Sequence, residues 1–225
     1  MKLHDYDRRG VLGVSGAGKT HYVMNRIVKP AQRVLVWDLC GEYAAACDLD
    51  EVEIEEFLVE PQLMGAARCR LAVVTEWDNQ VELAKWFNRF FSEVKAYGQA
   101  TGDDPSQPSM TLVIEETSLL RPHADGVLVA LATQSRKWKM PLVLVSQRAT
   151  MQPPGVRSQW SQLVSFRQNE PGDIDALEER IGAEKAQQVM RLPRRRMVTW
   201  TEEDVFRVAK GDATTGAPPQ EERKE

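Results

Sequence analysis

Eight consecutive residues of this chain have the types and spacing of a phosphate-binding loop. The segment 13–20 follows the pattern Gly-x-x-x-x-Gly-Lys-Thr. Backbone N–H groups of such a loop wrap the phosphates, and the helix that follows adds the positive end of its dipole. We expect Lys19 to contact the β- and γ-phosphates and the Thr20 hydroxyl to bind Mg²⁺. The residues expected to bind the nucleotide are Gly13, Val14, Ser15, Gly16, Ala17, Gly18, Lys19 and Thr20.

The flanking residues favour this interpretation over a glycine-rich turn that matches the pattern by chance. Residues 10–12 read as a short buried strand, and residues 21–28 carry apolar side chains at helical spacing. A strand, a glycine-rich turn and a helix are the context that the motif requires. The sequence therefore predicts a nucleoside triphosphate site.

Two neighbouring acids and a glutamine follow two further apolar strands. Residues 110–114 end in Glu115 and Glu116, and residues 141–145 end in Ser146 and Gln147. An acid at the tip of a neighbouring strand can hold the magnesium shell, and a second can orient the attacking water. We assign the first role to Glu115 and the second to Glu116, with Gln147 as a sensor of the γ-phosphate. The alternative is an ordinary strand end with solvated acids.

A third cluster of polar residues follows the strand at residues 33–37. It reads Asp38-Leu39-Cys40-Gly41-Glu42-Tyr43, and it would lie near the nucleotide at the carboxyl edge of the sheet. Asp38 and Glu42 are therefore candidates for a second acidic contact with the magnesium shell. A turn in which Asp38 caps a helix fits the residues equally well.

The order of the elements predicts one α/β domain. Apolar strands alternate with helical segments, which indicates a mostly parallel sheet with helices on both faces. We expect a single P-loop domain over residues 1–209 and a disordered polar tail over residues 210–225. The acidic segment 48–60 is expected to form a surface helix or an irregular excursion.

Composition narrows the class of protein. The 225 residues carry a formal net charge of −4, which argues against a broad basic surface that coats nucleic acid. The three cysteines lack metal-ligand spacing and suit a reducing compartment. No signal peptide and no apolar run of transmembrane length is present. We therefore expect a cytosolic protein, not a secreted one.

The motifs in this order resemble the HerA/FtsK superfamily of DNA-pumping ATPases. The resemblance covers about residues 10–182, and the segment 38–43 is its most discriminating part. The family usually has Asp-Glu at the acid pair, whereas this chain has Glu115 in place of the aspartate. The resemblance implies a RecA/FtsK-like form of the P-loop NTPase fold, ATP and Mg²⁺ as cofactors, and a homo-oligomeric ring, usually a hexamer.

In such rings an arginine of the neighbouring subunit completes each nucleotide site. The family pattern places it just ahead of the strand that ends in glutamine, which corresponds to Arg136 in this chain. Arg148 and Arg157 are the reserve candidates. A solvated surface arginine is the alternative for each of them.

The small size of the chain is similar to that of the genome-packaging ATPases of tailless icosahedral viruses with an internal membrane. This likeness implies translocation of double-stranded DNA without sequence specificity, together with a partner at a capsid vertex or in a membrane-associated packaging complex. Candidate DNA contacts are Lys137, Lys139 and the run 194–196, the last of which also fits a solvated turn.

Other functions remain open at this stage. A HerA/FtsK-like cellular or plasmid DNA translocase and a filamentous-phage-type assembly ATPase share the motor. A monomeric P-loop kinase or GTPase is a further alternative. The acid pair and the glutamine-tipped strand disfavour a kinase, and the sequence lacks the guanine-reading Asn-Lys-x-Asp motif of a GTPase. A nucleotide-binding scaffold without motor activity is also compatible with the residues.

Overall fold

A computed structural model describes residues 3–4, 6–102, 104, 106 and 109–202 of the chain. The segment 210–225, for which the composition predicts a disordered tail, lies outside the described residues. The expected domain of residues 1–209 also extends beyond them.

The described residues form an eight-stranded sheet in which only the last strand is antiparallel to its neighbour. Seven strands run parallel, so the predicted α/β fold with a mostly parallel sheet is confirmed. The strands are β1 (Arg8–Leu12), β2 (Val34–Trp37), β3 (Asp50–Glu53), β4 (Arg70–Val74), β5 (Thr111–Ile114), β6 (Leu142–Ser146), β7 (Gln162–Phe166) and β8 (Met197–Thr201). Their order across the sheet is β3-β4-β2-β5-β6-β1-β7-β8.

Helices connect the parallel strands. They are α1 (Lys19–Val23), α2 (Tyr43–Cys47), α3 (Ile54–Val59), α4 (Gln80–Thr101), α5 (Asp125–Gln134), α6 (Pro154–Arg157), α7 (Pro171–Ile181) and α8 (Ala183–Arg191). Helix α1 continues as a π-helical turn, and short 3₁₀ turns follow β5, α5 and β6 at Thr117–Leu120, Ser135–Trp138 and Ala149–Met151. In the described part of the chain, no helix is both long enough and apolar enough to cross a membrane.

Apolar side chains cover both faces of the sheet. On one face Trp37 of β2 packs against Phe87 and Phe90 of α4, with ring centroids 5.3 and 4.8 Å apart. On the other face Val23 and Ile27 pack with Val36 and Val145 of the central strands. The central strands are buried on both sides, as expected of a parallel sheet.

The segment 48–60 departs from the prediction. Its first part is β3, which pairs in parallel with β4, and its second part is the helix α3. Strand β3 lies at the edge of the sheet and only Val52 among its four residues is buried, while the other three are acidic. Charged side chains protect an edge strand from unwanted pairing, and they also remove the apolar alternation that identifies a strand in sequence.

The strand order brings several loops to one edge of the sheet. Strands β2, β5, β6, β1 and β7 are neighbours and run in the same direction, so their carboxyl ends lie in one row. In an open parallel sheet, ligands bind beyond this edge. The P-loop, the acid pair and the glutamine each follow one of these strands.

Candidate active site

The P-loop is anchored to the strands on both sides of β1. Gly13 N donates to Ser146 O of β6 at 3.3 Å, and Val14 N donates to Arg167 O after β7, also at 3.3 Å. A side chain at residue 13 would place its Cβ 2.6 Å from the Cβ of Phe166. Gly18, with φ 107°, stands in a backbone conformation that L-residues with side chains rarely adopt. The two glycines are therefore required by packing and by backbone geometry.

Lys19 lies inside the loop. Its side-chain Nζ donates to Gly13 O at 2.8 Å and approaches Val14 O at 3.4 Å, and the residue is 7% exposed. Burial lowers the pKa of the ammonium group, and the carboxylates of Glu116 and Glu115 oppose that shift. The loop thus holds a cation at its centre with only carbonyl oxygens within hydrogen-bond distance.

Thr20 and Glu115 meet although they come from different elements. Thr20 Oγ1 is 3.4 Å from Glu115 Oε1, and Tyr43 OH donates to the same carboxylate oxygen at 2.5 Å. Burial raises the pKa of Glu115 to about 6, against the opposing effect of the hydrogen bond from Tyr43. Burial and the adjacent Glu115 also raise the pKa of Tyr43, so its phenol stays a donor.

Asp38 makes the contacts of a helix cap. Its two carboxylate oxygens accept from the backbone N–H groups of Glu42, at 3.2 Å, and Tyr43, at 2.9 Å. The cap starts α2 and so directs Tyr43 toward Glu115. Glu42 itself is exposed. A direct metal contact by either acid stays a prediction, but the segment 38–43 has a visible function in placing the tyrosine.

We expect Tyr43→Phe to reduce the free energy of unfolding by about 1.5–3 kcal/mol, since a hydrogen bond to a charged group contributes that much. The loss leaves Glu115 buried with fewer donors. Urea unfolding measures the change, and Tyr6→Phe, at a site 54% exposed, is the matched control. Equal unfolding midpoints for the two variants would show that the Tyr43–Glu115 contact does not stabilise the fold.

Glu116 and Gln147 lie beside each other at the tips of β5 and β6. Gln147 Nε2 donates to Glu116 Oε1 at 3.4 Å, and Ser118 Oγ donates to Glu116 Oε2 at 3.2 Å. Glu116 adopts a left-handed backbone conformation with φ 43°, which is uncommon for a residue with a side chain. Strain of this kind concentrates at functional sites. Gln147 is exposed and Glu116 half-buried, so both can face a ligand.

The three candidate arginines lie in different environments. Arg136 is exposed on the 3₁₀ turn that precedes β6, near Arg8 at the start of β1. Arg148 pairs with the buried carboxylate of Asp173, with Nε and Oδ2 2.9 Å apart. Arg157 donates from Nη1 to Gln152 O at 2.8 Å. Within the described residues, the Arg136 side chain has no hydrogen-bond or ion-pair partner.

Sequence reasoning missed a cavity that adjoins the P-loop. It has a volume of about 530 Å³ and lies between the loop, the start of α1 and the turn before β8. Its lining includes Gly16, Gly18, Thr20, Asn25, Arg195 and Met197. Residues 194–196 were expected to contact DNA or solvent, and no local sequence signal links them to a loop about 180 residues earlier in the chain.

The oxygen atoms around Thr20 suit a magnesium ion. A hydroxyl and a carboxylate within 3.4 Å of each other are hard ligands, and Mg²⁺ is commonly held by one or two such groups together with phosphate oxygens and water. Among the described residues, no group of three or more His, Cys, Asp or Glu side chains could hold a metal alone. The residues therefore fit a Mg²⁺ ion whose remaining ligands are phosphate oxygens of the nucleotide and water.

Solved structures of other proteins share this fold. The genome-packaging NTPase B204 of Sulfolobus turreted icosahedral virus 2, in complex with AMP, superposes with a TM-score of 0.66 at 17% identity, covering 90% of this chain and 96% of that one. The chain has an α/β P-loop NTPase fold. The ATP-γS complex of B204 superposes with a TM-score of 0.64 at 17% identity, covering 89% and 94% of the two chains.

The P-loop NTPase fold is shared with a further solved structure. VirB4 of Thermoanaerobacter pseudethanolicus superposes with a TM-score of 0.58 at 12% identity, covering 83% of this chain and 84% of that one. No family sequence model and no curated protein sequence matches the chain. The expected P-loop NTPase fold is thus confirmed, and the likeness to B204 agrees with the expected resemblance to packaging ATPases.

Proposed function

We propose that this protein is an ATP-hydrolysing ring motor that moves double-stranded DNA and packages a viral genome into a preformed capsid. The observation that carries the proposal is the row of groups at one sheet edge. Lys19 in the loop, Thr20 with Glu115, and Glu116 with Gln147 stand side by side. The likeness to B204, an NTPase whose structures contain AMP, ATP-γS and AMPPCP, supports the assignment.

The residues divide the work of hydrolysis. The backbone N–H groups of the P-loop and the Lys19 ammonium bind the phosphates, while Thr20 and Glu115 would hold Mg²⁺. The ion, when bound, neutralises charge on the phosphate oxygens. Glu116 orients the attacking water and accepts its proton. Gln147 donates a hydrogen bond to Glu116. Through this bond, a change at Glu116 during hydrolysis is transmitted to the start of the loop after β6.

Arg136 fits a site shared between subunits. It lies at the amino end of β6, whereas the P-loop follows the carboxyl end of β1, and the two strands are parallel neighbours. A strand of five residues spans roughly 15 Å. Arg136 therefore lies at the edge of the sheet opposite to the edge that carries the P-loop of its own chain. An exposed, unpaired guanidinium there can complete the site of a neighbour. Arg148, held by Asp173, and Arg157, held by a backbone carbonyl, are less free to do so.

Mixing two inactive variants tests the shared site. Arg136→Ala should bind ATP yet lose on the order of 10³-fold in turnover, the range of arginine fingers. Lys19→Ala should be inactive because it lacks the ammonium group that contacts the β- and γ-phosphates. An equimolar mixture should recover part of the activity, because some interfaces pair an intact loop with an intact arginine.

The double variant Lys19→Ala/Arg136→Ala, mixed with wild-type protein, controls for simple dilution. Normal hydrolysis by Arg136→Ala alone would show that the finger is another residue. An inactive mixture, with mixed oligomers demonstrated by mass, would show that Lys19 and Arg136 do not act across an interface.

DNA contact is proposed for Lys137 and Lys139. The two lysines flank Trp138, which is buried, and Lys137 is exposed. A ring needs few cations per subunit, because phosphate contacts add across subunits. Contacts to the backbone alone would make translocation independent of sequence. The proposed setting is the host cytoplasm or the virion, with a capsid-vertex or membrane-associated packaging protein as partner.

A HerA/FtsK-like cellular or plasmid DNA translocase is the second candidate. The likeness to VirB4 favours it, because VirB4 comes from a cellular organism, Thermoanaerobacter pseudethanolicus, and shares the fold over 84% of its chain. Both candidates use the same nucleotide site and differ in the partner to which the ring docks.

A further inference from the structure

The turn that leads into β8 carries three consecutive arginines beside the P-loop. Helix α8 ends at Arg191, and Arg196 N donates to Pro193 O at 3.1 Å to close a tight turn. Arg195 adopts φ 65°, a left-handed conformation that a turn at this position usually assigns to glycine or asparagine. A long charged side chain thus occupies a strained position where a glycine would fit without strain.

Two of these arginines face the loop. An Nη2 atom of Arg194 lies 3.4 Å from the position that a Cβ on Gly16 would occupy, so the guanidinium lies against the bare backbone of the loop. Arg195 lines the cavity of about 530 Å³ that also contains Gly18 and Thr20. In the part of the chain that the structure describes, neither guanidinium has a hydrogen-bond or ion-pair partner.

The positive charges around the P-loop favour binding of an anion. Lys19 already places one cation inside the loop, and Arg194 and Arg195 add two more around it. The carboxylates of Glu115 and Glu116 lie near Thr20 and Gln147, and both act on Lys19 as opposite charges. Guanidinium groups with free donors match phosphate oxygens in geometry and charge. A polyphosphate in the loop would therefore meet both arginines.

We propose that Arg194 and Arg195 bind the phosphates of the nucleotide in cis and close the site from the side of β8. The inference rests on the proposed function, since it adds two phosphate-binding residues to the same nucleotide site. Arg194 lies against the loop at Gly16, and Arg195 lines the adjoining cavity together with Gly18 and Thr20, both of them loop residues expected to bind the phosphates. These arginines then act on the nucleotide of their own subunit, unlike Arg136.

Titration with a fluorescent ATP analogue, mant-ATP, tests the assignment. We expect Arg194→Ala and Arg195→Ala each to weaken binding by about 5- to 30-fold, as expected for loss of a partly solvated charge-assisted hydrogen bond. Arg196→Ala removes the same charge from the same turn but not from the cavity, and it should bind as wild type does. The lysine variants Arg194→Lys and Arg195→Lys should recover part of the affinity.

A second titration, with mant-AMP, makes the phosphate assignment specific. The affinity for mant-AMP should fall less than that for mant-ATP, because fewer phosphate oxygens are present to meet the arginines. A uniform loss for both ligands would overturn the contact with the polyphosphate.

Three other results separate the inference from the proposed function. If wild-type protein does not bind mant-ATP, the proposed function itself fails. If Lys19→Ala abolishes binding while both arginine variants bind normally, only the inference fails. If the double variant Arg194→Ala/Arg195→Ala binds mant-ATP normally but loses affinity for long double-stranded DNA, the turn is a DNA contact and the inference is overturned.

Discussion

Glu116→Gln should reduce ATP turnover by about 10²- to 10⁴-fold, the usual contribution of a general base, while it leaves ATP binding intact. The amide keeps the size of the side chain and can still meet Ser118 and Gln147, so the fold should be preserved. It cannot accept the proton of the attacking water. The variant should therefore hold ATP without hydrolysing it.

Phosphate release and mant-ATP binding, measured on the same preparation, check this result. Glu179→Gln, at an exposed position of α7, is the matched control and should hydrolyse ATP as wild type does. Wild-type turnover by the Glu116→Gln variant would show that another group acts as the general base. A variant that no longer binds ATP would show that Glu116 acts in binding.

Lys19→Ala should abolish detectable hydrolysis and weaken nucleotide binding by roughly 10- to 150-fold, since a hydrogen bond to a charged group contributes about 1.5–3 kcal/mol. The ammonium is already placed among the loop carbonyls, so little reorganisation precedes binding. Lys85→Ala, on the exposed side of α4, removes a charge away from the site. Far-UV circular dichroism of both variants would show that they fold.

An outcome in which Lys19→Ala binds mant-ATP with wild-type affinity would contradict the P-loop assignment. Hydrolysis that persists in this variant would place the active site elsewhere. Either result would also remove the basis for the shared site with Arg136.

The local parts of the site could be predicted from sequence because each is encoded in consecutive residues. The P-loop, the acid pair after β5 and Gln147 after β6 all lie at strand ends, where the motifs place them. The strand order could not be read from the sequence, since it depends on pairing between distant segments such as β1 and β6. That order decides which strand ends are neighbours.

Most features that the sequence did not reveal also depend on contacts between distant segments. The contact of Tyr43 with Glu115 joins residues 72 positions apart, and the contact of Arg194 with the P-loop joins the two ends of the described chain. Strand β3 escaped prediction for a local reason, because charges at a sheet edge remove the apolar pattern. Asp38 fitted two functions from its residue type alone, and its two backbone partners show the helix cap.

The proposed coupling of ATP hydrolysis to DNA movement is tested most directly by one measurement. The ATPase rate of the wild-type protein is measured with and without long double-stranded DNA, and the oligomeric mass is determined under the same conditions. We predict a ring whose hydrolysis increases when DNA is added, irrespective of DNA sequence. A monomer whose rate does not respond to DNA would contradict the account.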